Sequence, residues 1–269
     1  MINCCDYCTF YRDYKIISLV YKSSLSCIYT CKCKSNISTF KTIVKIQKYK
    51  YGNVEAKILK FLNKKKCIFV PIYVEHYVYK KISYLVMEEI QGNTLKNFLQ
   101  KNKKLSYMHR NTIANLLIEY IKVLHLFGII HRNLKSDNIL IYKSSNNNIN
   151  VKIIDYGFSV KKKYTSIYNF NLTYQCGTYN YMPPEILTKK YYNVSCDSYS
   201  LGIILYYLFT NTYPYDISNI NIKNNHLYNL NILKKKNINI NYNIIKRSYW
   251  NKIIKNLLNI DKHKRLIIT

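Results

Sequence analysis

The chain has 269 residues, of which 48% are apolar, enough to bury a substantial core in one large domain or two smaller lobes. Its formal net charge is +29, but this excess accompanies heavy use of Asn, Ile and Tyr and no nucleic-acid-binding motif, so nucleic acid is not expected as a partner. No apolar run has the length of a membrane span or a secretory signal, which predicts an intracellular protein, cytoplasmic or nuclear.

Short β-rich segments fill the first third of the chain. Strands are predicted at YKIISLVY (14–21), SCIYTCKCK (26–34), KTIVKIQK (41–48) and ISYLVME (82–88). One stretch with helical spacing, EAKILKFLN (55–63), interrupts them. This pattern predicts a small sheet with a single helix.

The character of the sequence changes after QGNTL (91–95). NTIANLLIEYIKVLHLFG (111–128) has apolar residues at helical spacing and ends in a glycine, a common helix stop. The polar tract at 144–150 is predicted to be a loop insertion, and the one at 219–246 a divergent peripheral region. The second part of the chain is therefore predicted to be mainly helical.

Nine cysteines are expected to be reduced thiols in an intracellular protein. Cys5 and Cys8 with Cys31 and Cys33 leave a zinc site open as an alternative, although the second pair falls in a predicted strand and no histidine accompanies it.

Lysine and carboxylate positions suggest a phosphate site. Lys45 lies in the apolar strand TIVKI, where a lysine is costly without an anionic partner, and Glu55 is the next acid along the chain. HRNLKSDN (131–138) then follows a helix, and Asp155 ends the apolar strand VKIID. Asp155 and the amide of Asn138 are oxygen ligands of the kind that Mg²⁺ prefers, and Mg²⁺ holds substrate phosphates.

In this order the motifs resemble those of the eukaryotic protein kinase family, from about Tyr14 to Arg265. Further matches are LVMEEIQGNTL (85–95), GTYNYMPPEIL (177–187), CDSYSLGIILYYLFTNTYPYD (196–216) and LLNIDKHKRL (257–266). Lys135 and the GT before YMPPE resemble the serine/threonine type. The resemblance implies an α+β, bilobal fold, with a β-rich N-lobe at about 10–89, a hinge at about 88–92 and a helical C-lobe at about 93–269.

The resemblance also implies ATP and Mg²⁺ as cofactors and protein substrates as partners. Residue by residue, it implies a catalytic set of Lys45, Glu55, Lys135 and Asn133 at the usual aspartate position. Metal ligands would be Asn138 and Asp155, and structural roles would fall to Arg132, Glu185, Asp197 and Arg265. The implied ATP-binding residues are Val20, Ile28, Ile43, Lys45, Met87, Glu88, Ile90 and Leu140.

Several positions depart from the family. Asn133 accepts a hydrogen bond but not a proton, and loss of a general base costs about 10² to 10⁴ in rate. Tyr21, Ser23 and Ser26 replace three glycines that let backbone approach phosphates. Ile43 replaces a small alanine, and Lys45 and Glu55 are only ten residues apart, which requires a short connection and puts their ion pair in doubt.

The activation segment, residues 155–185, contains candidate phosphorylation sites. Thr173 and Tyr174 are the main candidates, with Thr165 and Ser166 nearby, and Arg132 is expected to pair with a phosphate on one of the first two. The alternative is that all four are ordinary loop hydroxyls. After Arg265 the chain continues for four residues, without the family's last helix.

Two functional readings remain open. The first is a serine/threonine kinase that transfers the γ-phosphate of Mg-ATP to proteins, with activity reduced by Asn133. The second is a pseudokinase that acts as a binding or allosteric scaffold without phosphotransfer.

Overall fold

The computed structural model describes residues 9–35, 40–144, 146–162, 172, 176–188, 190–215, 240–245 and 248–268. The chain divides into two compact units. Unit 1 contains residues 1–92 and 152–158, and unit 2 contains residues 93–151 and 159–269.

Unit 1 is built on a five-stranded antiparallel sheet. Its strands are β1 (Tyr14–Lys22), β2 (Ser26–Cys33), β3 (Thr42–Lys48), β4 (Tyr73–Tyr79) and β5 (Ile82–Glu88). Their order in the sheet is β1-β2-β3-β5-β4. They are rich in Val, Ile, Tyr and Thr, which fit a pleated, half-buried surface. The short helix α1 (Thr9–Asp13) precedes β1 and contributes the fully buried Phe10 to a core cluster with Tyr14, Cys31, Val44 and Val86.

Helix α2 (Tyr49–Lys64) follows β3 directly. It begins six residues before the predicted segment. The sequence does not indicate this start because YKYGNV carries neither helical apolar spacing nor a good capping residue: the N-cap is Lys48, whose side chain makes no capping hydrogen bond. Strand β4 was not predicted, since Glu75 and His76 interrupt its apolar pattern.

Unit 2 is mainly helical. Its helices are α3 (Leu95–Lys101), α4 (Tyr107–Leu126), α5 (Pro184–Leu187), α6 (Ser195–Thr210) and α7 (Ser248–Leu257). Ser106 caps α4 by accepting a hydrogen bond from the amide of His109, and Gly128 follows the helix with a φ of 71°. Helix α6 is buried over nearly its whole length, which its all-round apolar sequence predicts.

Short strands complete unit 2 and lead back to unit 1. These are β6 (Asn93–Thr94), β7 (Ile129–Ile130), β8 (Ile139–Lys143), β9 (Ile149–Ile153) and β10 (Val160–Lys161). Strands β6, β8 and β9 form one small sheet, and β7 pairs with β10. A β-sheet N-terminal region followed by a helical region confirms the predicted α+β fold class.

Candidate functional site

Lys45 is the centre of a buried ionic cluster in unit 1. Its Nζ lies 2.8 Å from Oε2 of Glu55 and 2.6 Å from Oδ1 of Asp155. Burial disfavours a charged amine, but the carboxylates of Asp155 and Glu55 outweigh it and raise the pKa of Lys45 above its ordinary value. The side chain is therefore a fixed cation, held by two anions.

The ten-residue spacing between Lys45 and Glu55 is geometrically sufficient. From Lys45 the strand runs three residues to its end at Lys48, or roughly 10 Å at the rise of a β-strand. From Tyr49 the helix reaches Glu55 in six residues, or roughly 9 Å at the helical rise. Because the helix begins without a loop and the two lengths match, folding back brings the carboxylate beside the ammonium.

Glu55 accepts two further hydrogen bonds. The amide Nε2 of Gln47 donates to Oε2 at 2.7 Å, and the backbone amide of Tyr156 donates to Oε1 at 3.2 Å. Glu55 is 1% exposed, so a carboxylate there requires such partners. Three donors together fix the orientation of the carboxylate.

Asp155 follows β9 in a left-handed backbone conformation, with a φ of 69°. This region is uncommon for a residue with a side chain and is found at sites that the surrounding structure holds in place. Its side chain is 29% exposed although Oδ1 contacts Lys45, so the carboxylate remains accessible to solvent. A half-exposed carboxylate fixed on one side is chemically suited to a divalent cation.

The implied adenine-contacting residues of unit 1 lie on neighbouring strands. Ile28 is paired with Lys45 across β2 and β3, and Ile43 with Met87 across β3 and β5. Met87 is buried, whereas Ile28 and Ile43 are half-buried and Val20 on β1 is exposed. Glu88 and Ile90, also half-buried, follow at the end of the sheet.

The turn between β1 and β2 is closed by its own hydrogen bonds. The amide of Ser23 donates to the carbonyl of Ser26 at 2.9 Å, and the amides of Leu25 and Ser26 donate to Oγ of Ser23 at 3.2 and 3.1 Å. These backbone donors are thus engaged inside the turn. Ser23 replaces a glycine of the family, and in addition its hydroxyl accepts hydrogen bonds from two backbone amides of the loop.

In unit 2, Asp197 organises the loop that follows β7. This carboxylate is 1% exposed and accepts hydrogen bonds from the backbone amides of His131 at 2.7 Å and Arg132 at 2.8 Å, and from Nε2 of His125 at 3.3 Å. Burial alone would raise the pKa of Asp197, but His125, His131 and the backbone donor lower it below its ordinary value. An ionised Asp197 holds Arg132 at a φ of 65°.

Asn133 is buried in this loop and engaged through its backbone and its side chain. Its Oδ1 accepts a hydrogen bond from Oγ1 of Thr178 at 3.2 Å, and its carbonyl accepts one from Nδ2 of Asn138 at 2.9 Å. Leu140 lies on β8 just beyond, and Lys135 is half-buried between these residues. Unit 2 thus brings Asn133 and Asn138 together, whereas Asp155 belongs to unit 1.

Gly177 precedes Thr178 and is required by the backbone. Its φ is 111°, and a Cβ there would lie 2.8 Å from the carbonyl oxygen of Arg132. Oγ of Ser136 lies 2.8 Å from the phenol of Tyr181, which anchors the segment after Gly177 to the same loop. A side chain at position 177 would push Thr178 away from Asn133.

Glu185 and Arg265 form a buried, two-pronged ion pair in unit 2. Nη1 and Nη2 of Arg265 donate to Oε1 and Oε2 of Glu185 at 2.6 and 3.0 Å. The guanidinium also lies 4.9 Å from the centroid of the Tyr199 ring. This pair ties α5 to the end of the described chain.

Some expected residues lie outside the described part of the chain. Thr165, Ser166, Thr173 and Tyr174 do so, as do Cys5 and Cys8, while Cys31 and Cys33 lie on β2. In the ranges that the structure describes, no group of three or more His, Cys, Asp or Glu side chains is placed to hold a metal ion. Nor does any helix there have the length and apolar character needed to cross a membrane.

Sequence reasoning missed Gln47, His125 and Thr178. Gln47 is two residues from Lys45 and so on the same face of β3, a signal that was available in the sequence. His125 and Thr178 act on residues far along the chain, and no local pattern indicates their partners.

Comparison with known proteins agrees with this arrangement. The protein kinase domain family matches residues 14–269. Serine/threonine-protein kinase 33 of Bos taurus is 31% identical over 83% of this chain and 47% of that protein. Serine/threonine-protein kinase PLK4 of Danio rerio is 28% identical over 78% of this chain and 22% of its own length.

The ribosomal protein S6 kinase alpha-3 of Mus musculus is 32% identical over half of this chain and 18% of that protein. The chain therefore belongs to the eukaryotic protein kinase family, with serine/threonine kinases among its relatives. It spans less than half the length of these curated relatives. Family members use ATP and Mg²⁺ in general and act on protein substrates.

Proposed function

We propose that this chain is a serine/threonine protein kinase domain that binds Mg-ATP and transfers the γ-phosphate to proteins at a reduced rate. The observation that carries the proposal is the Lys45, Glu55 and Asp155 cluster, with distances of 2.8 and 2.6 Å between its charged atoms. A buried lysine with two carboxylates is costly to build, and in this family it serves phosphate binding. We also propose residues 10–89 and 93–269 as the lobes, joined by a hinge at 88–92.

Lys45 would hold the α- and β-phosphates, and Glu55 would orient it. The adenine would meet Val20, Ile28, Ile43, Met87 and Leu140, with backbone groups of Glu88 and Ile90. Asp155 and Asn138 would hold Mg²⁺, since a half-exposed carboxylate and an amide oxygen fit the cation. When bound, the metal supplies charge neutralisation at the transferring phosphoryl group.

Asn133 would position the substrate hydroxyl without taking its proton. Phosphoryl transfer proceeds through a loose transition state in which positioning and charge stabilisation dominate, so catalysis survives at a lower rate. Lys135 would stand beside the transferring group, and Arg132 would pair with a phosphate on Thr173 or Tyr174. Glu185, Asp197 and Arg265 would keep this loop and its support in place.

A specific observation favours a second function, a pseudokinase that works as a binding or allosteric scaffold. In the turn from Ser23 to Ser26, backbone amides donate hydrogen bonds to oxygens of the turn itself. These amides would have to break those bonds before they could bind a phosphate. A chain with this turn and with Asn133 would retain the fold and dock a protein partner without phosphotransfer.

Thermal unfolding with ATP tests the nucleotide and metal assignments. We expect ATP to raise the melting temperature only when Mg²⁺ is present, because ligand binding to the folded state stabilises it. Asp155→Ala should abolish this rise, whereas Glu119→Ala, at an exposed acid on α4, should leave it unchanged. A rise that survives Asp155→Ala would contradict the metal assignment.

A further inference from the structure

Gln47 is a buried polar side chain inside the sheet of unit 1. It is 6% exposed, and burial of an amide without a hydrogen-bond partner is costly. Its Nε2 lies 2.7 Å from Oε2 of Glu55, the same oxygen that Lys45 contacts at 2.8 Å. The Glu55 carboxylate fixes which way the Gln47 amide points, because it accepts a hydrogen bond from the amide nitrogen and would repel the amide oxygen.

The contact between Gln47 and Glu55 lies beside the direct connection from β3 to α2. Gln47 is one residue before the end of β3, and Lys48 serves as an N-cap without a side-chain hydrogen bond. On the helix side Glu55 lies on the second turn. The Gln47 amide is therefore a side-chain link between this strand and the first two turns of the helix.

Gln47 and its partner Glu55 also lie close to Tyr156 and Gly157, the two residues that follow Asp155. A Cβ built on Gly157 would lie 3.7 Å from Oε1 of Gln47, and the amide of Tyr156 donates to the other oxygen of Glu55. The Glu55 carboxylate is thus held from β3 and from the residues after Asp155 at once.

We propose that Gln47 is a positioning residue for the Lys45 and Glu55 pair. It holds the Glu55 carboxylate in its orientation beside Lys45 once the direct connection from β3 to α2 has brought the two residues together. This inference rests on the proposed function for its consequence in nucleotide binding, but the positioning itself requires no nucleotide.

The test compares Gln47→Leu, which keeps the size and removes the donor, with Ser83→Ala as the matched control. Ser83 is the cross-strand partner of Gln47 and is also buried, but its hydroxyl contacts Nε2 of His76 at 2.8 Å rather than Glu55. Gln47→Leu should raise the dissociation constant for Mg-ATP about tenfold, the lower range for a hydrogen bond to a charged group. Ser83→Ala should leave this constant within about twofold, within the scatter of such values.

Hydrogen exchange of the nucleotide-free protein separates this inference from the proposed function. Gln47→Leu should speed exchange of the Tyr156 amide, since its acceptor Glu55 is no longer fixed, and Ser83→Ala should not. Failure of the wild type to bind Mg-ATP would overturn the proposed function alone. An unchanged Tyr156 amide would overturn the role of Gln47.

Gln47→Glu keeps the test decisive if the leucine variant does not fold. The new carboxyl group would take the place of the amide beside Oε2 of Glu55, an oxygen that Lys45 also contacts. Lys45 in turn contacts Asp155, and His76 is bound to Ser83, the cross-strand partner of position 47. Two carboxylates that share a site hold one proton, so the variant mimics glutamine at low pH and repels Glu55 when ionised. Its Mg-ATP affinity relative to wild type should fall as pH rises; a constant ratio would contradict positioning through this hydrogen bond.

Discussion

In the proposed catalytic loop, Asn133 would stand where the family has a carboxylate, and an amide lacks the basicity of that group. Its Oδ1 accepts the Thr178 hydroxyl at 3.2 Å, a bond that an aspartate would also accept. An aspartate at position 133 would keep this acceptor and add a carboxylate that can take a proton.

We predict that Asn133→Asp raises kcat for phosphotransfer by about 10²-fold, the lower end of what general-base catalysis contributes. Steady-state kinetics with a protein substrate measures the gain, and KM for ATP should stay nearly constant. Asn97→Asp, which adds the same charge at an exposed site on α3, is the control. An equal kcat in both variants would mean that the reduced phosphotransfer is caused by the β1–β2 turn and Ile43 and not by position 133.

Helix α2 approaches the sheet unusually closely at Gly52. A Cβ on Gly52 would lie 1.9 Å from Oγ and 2.3 Å from Cβ of Ser83, so no side chain fits there without movement. The close approach carries Glu55, one turn further along the helix, toward Lys45. Gly52 is thus a requirement of the packing and not of backbone conformation.

Gly52→Ala is predicted to destabilise unit 1 by about 1–3 kcal/mol, the usual cost of overpacking, and to weaken Mg-ATP binding. Chemical denaturation and nucleotide titration measure the two effects. Adding Ser83→Gly to the same chain removes the clashing atoms and should recover much of the loss. If Gly52→Ala alone behaves like wild type, the helix does not depend on this contact.

The sequence predicts four of the five strands in the sheet of unit 1. Strands β1, β2, β3 and β5 agree with their predicted segments to within about a residue, because apolar β-branched and aromatic residues mark them. The start of α2 and the whole of β4 were not predictable, since tertiary packing stabilises them against a weak local pattern.

The candidate site was predictable as a set of residues but not as contacts. Lys45 and Glu55 are recognisable in the sequence, but their ion pair depends on the loopless start of α2, which the sequence does not indicate. Alternation along β3 places Gln47 on the same face as Lys45, but its contact with Glu55 on α2 is not visible in the sequence. The hydrogen bonds within the β1–β2 turn likewise depend on side-chain conformation.

Across the whole molecule, buried phenols couple stability to pH. Burial raises the pKa of Tyr181, Tyr199 and Tyr215 above the ordinary value and that of Tyr242 to about 12. In the unfolded chain these groups ionise near pH 10. The unfolded state then binds fewer protons than the folded state, so stability falls as pH rises through this window.

We therefore predict that these phenols leave the free energy of unfolding unchanged below about pH 9. Above about pH 10 their ionisation in the unfolded chain should lower it. Urea unfolding at stepped pH measures it, with phenolate absorbance reporting ionisation of the folded protein. Tyr242→Phe should reduce the slope, whereas Tyr249→Phe, at an exposed ring, should not. A free energy that rises over this interval would contradict the assignment.

We expect a kinase domain with an asparagine at position 133 to retain transfer of phosphate. The most direct measurement is transfer of labelled γ-phosphate from Mg-ATP to a generic protein substrate, with Asp155→Ala as the background. We predict transfer above that background, because the Lys45, Glu55 and Asp155 cluster is intact. Transfer equal to the Asp155→Ala background would contradict the claim and leave a protein that uses the kinase fold for binding.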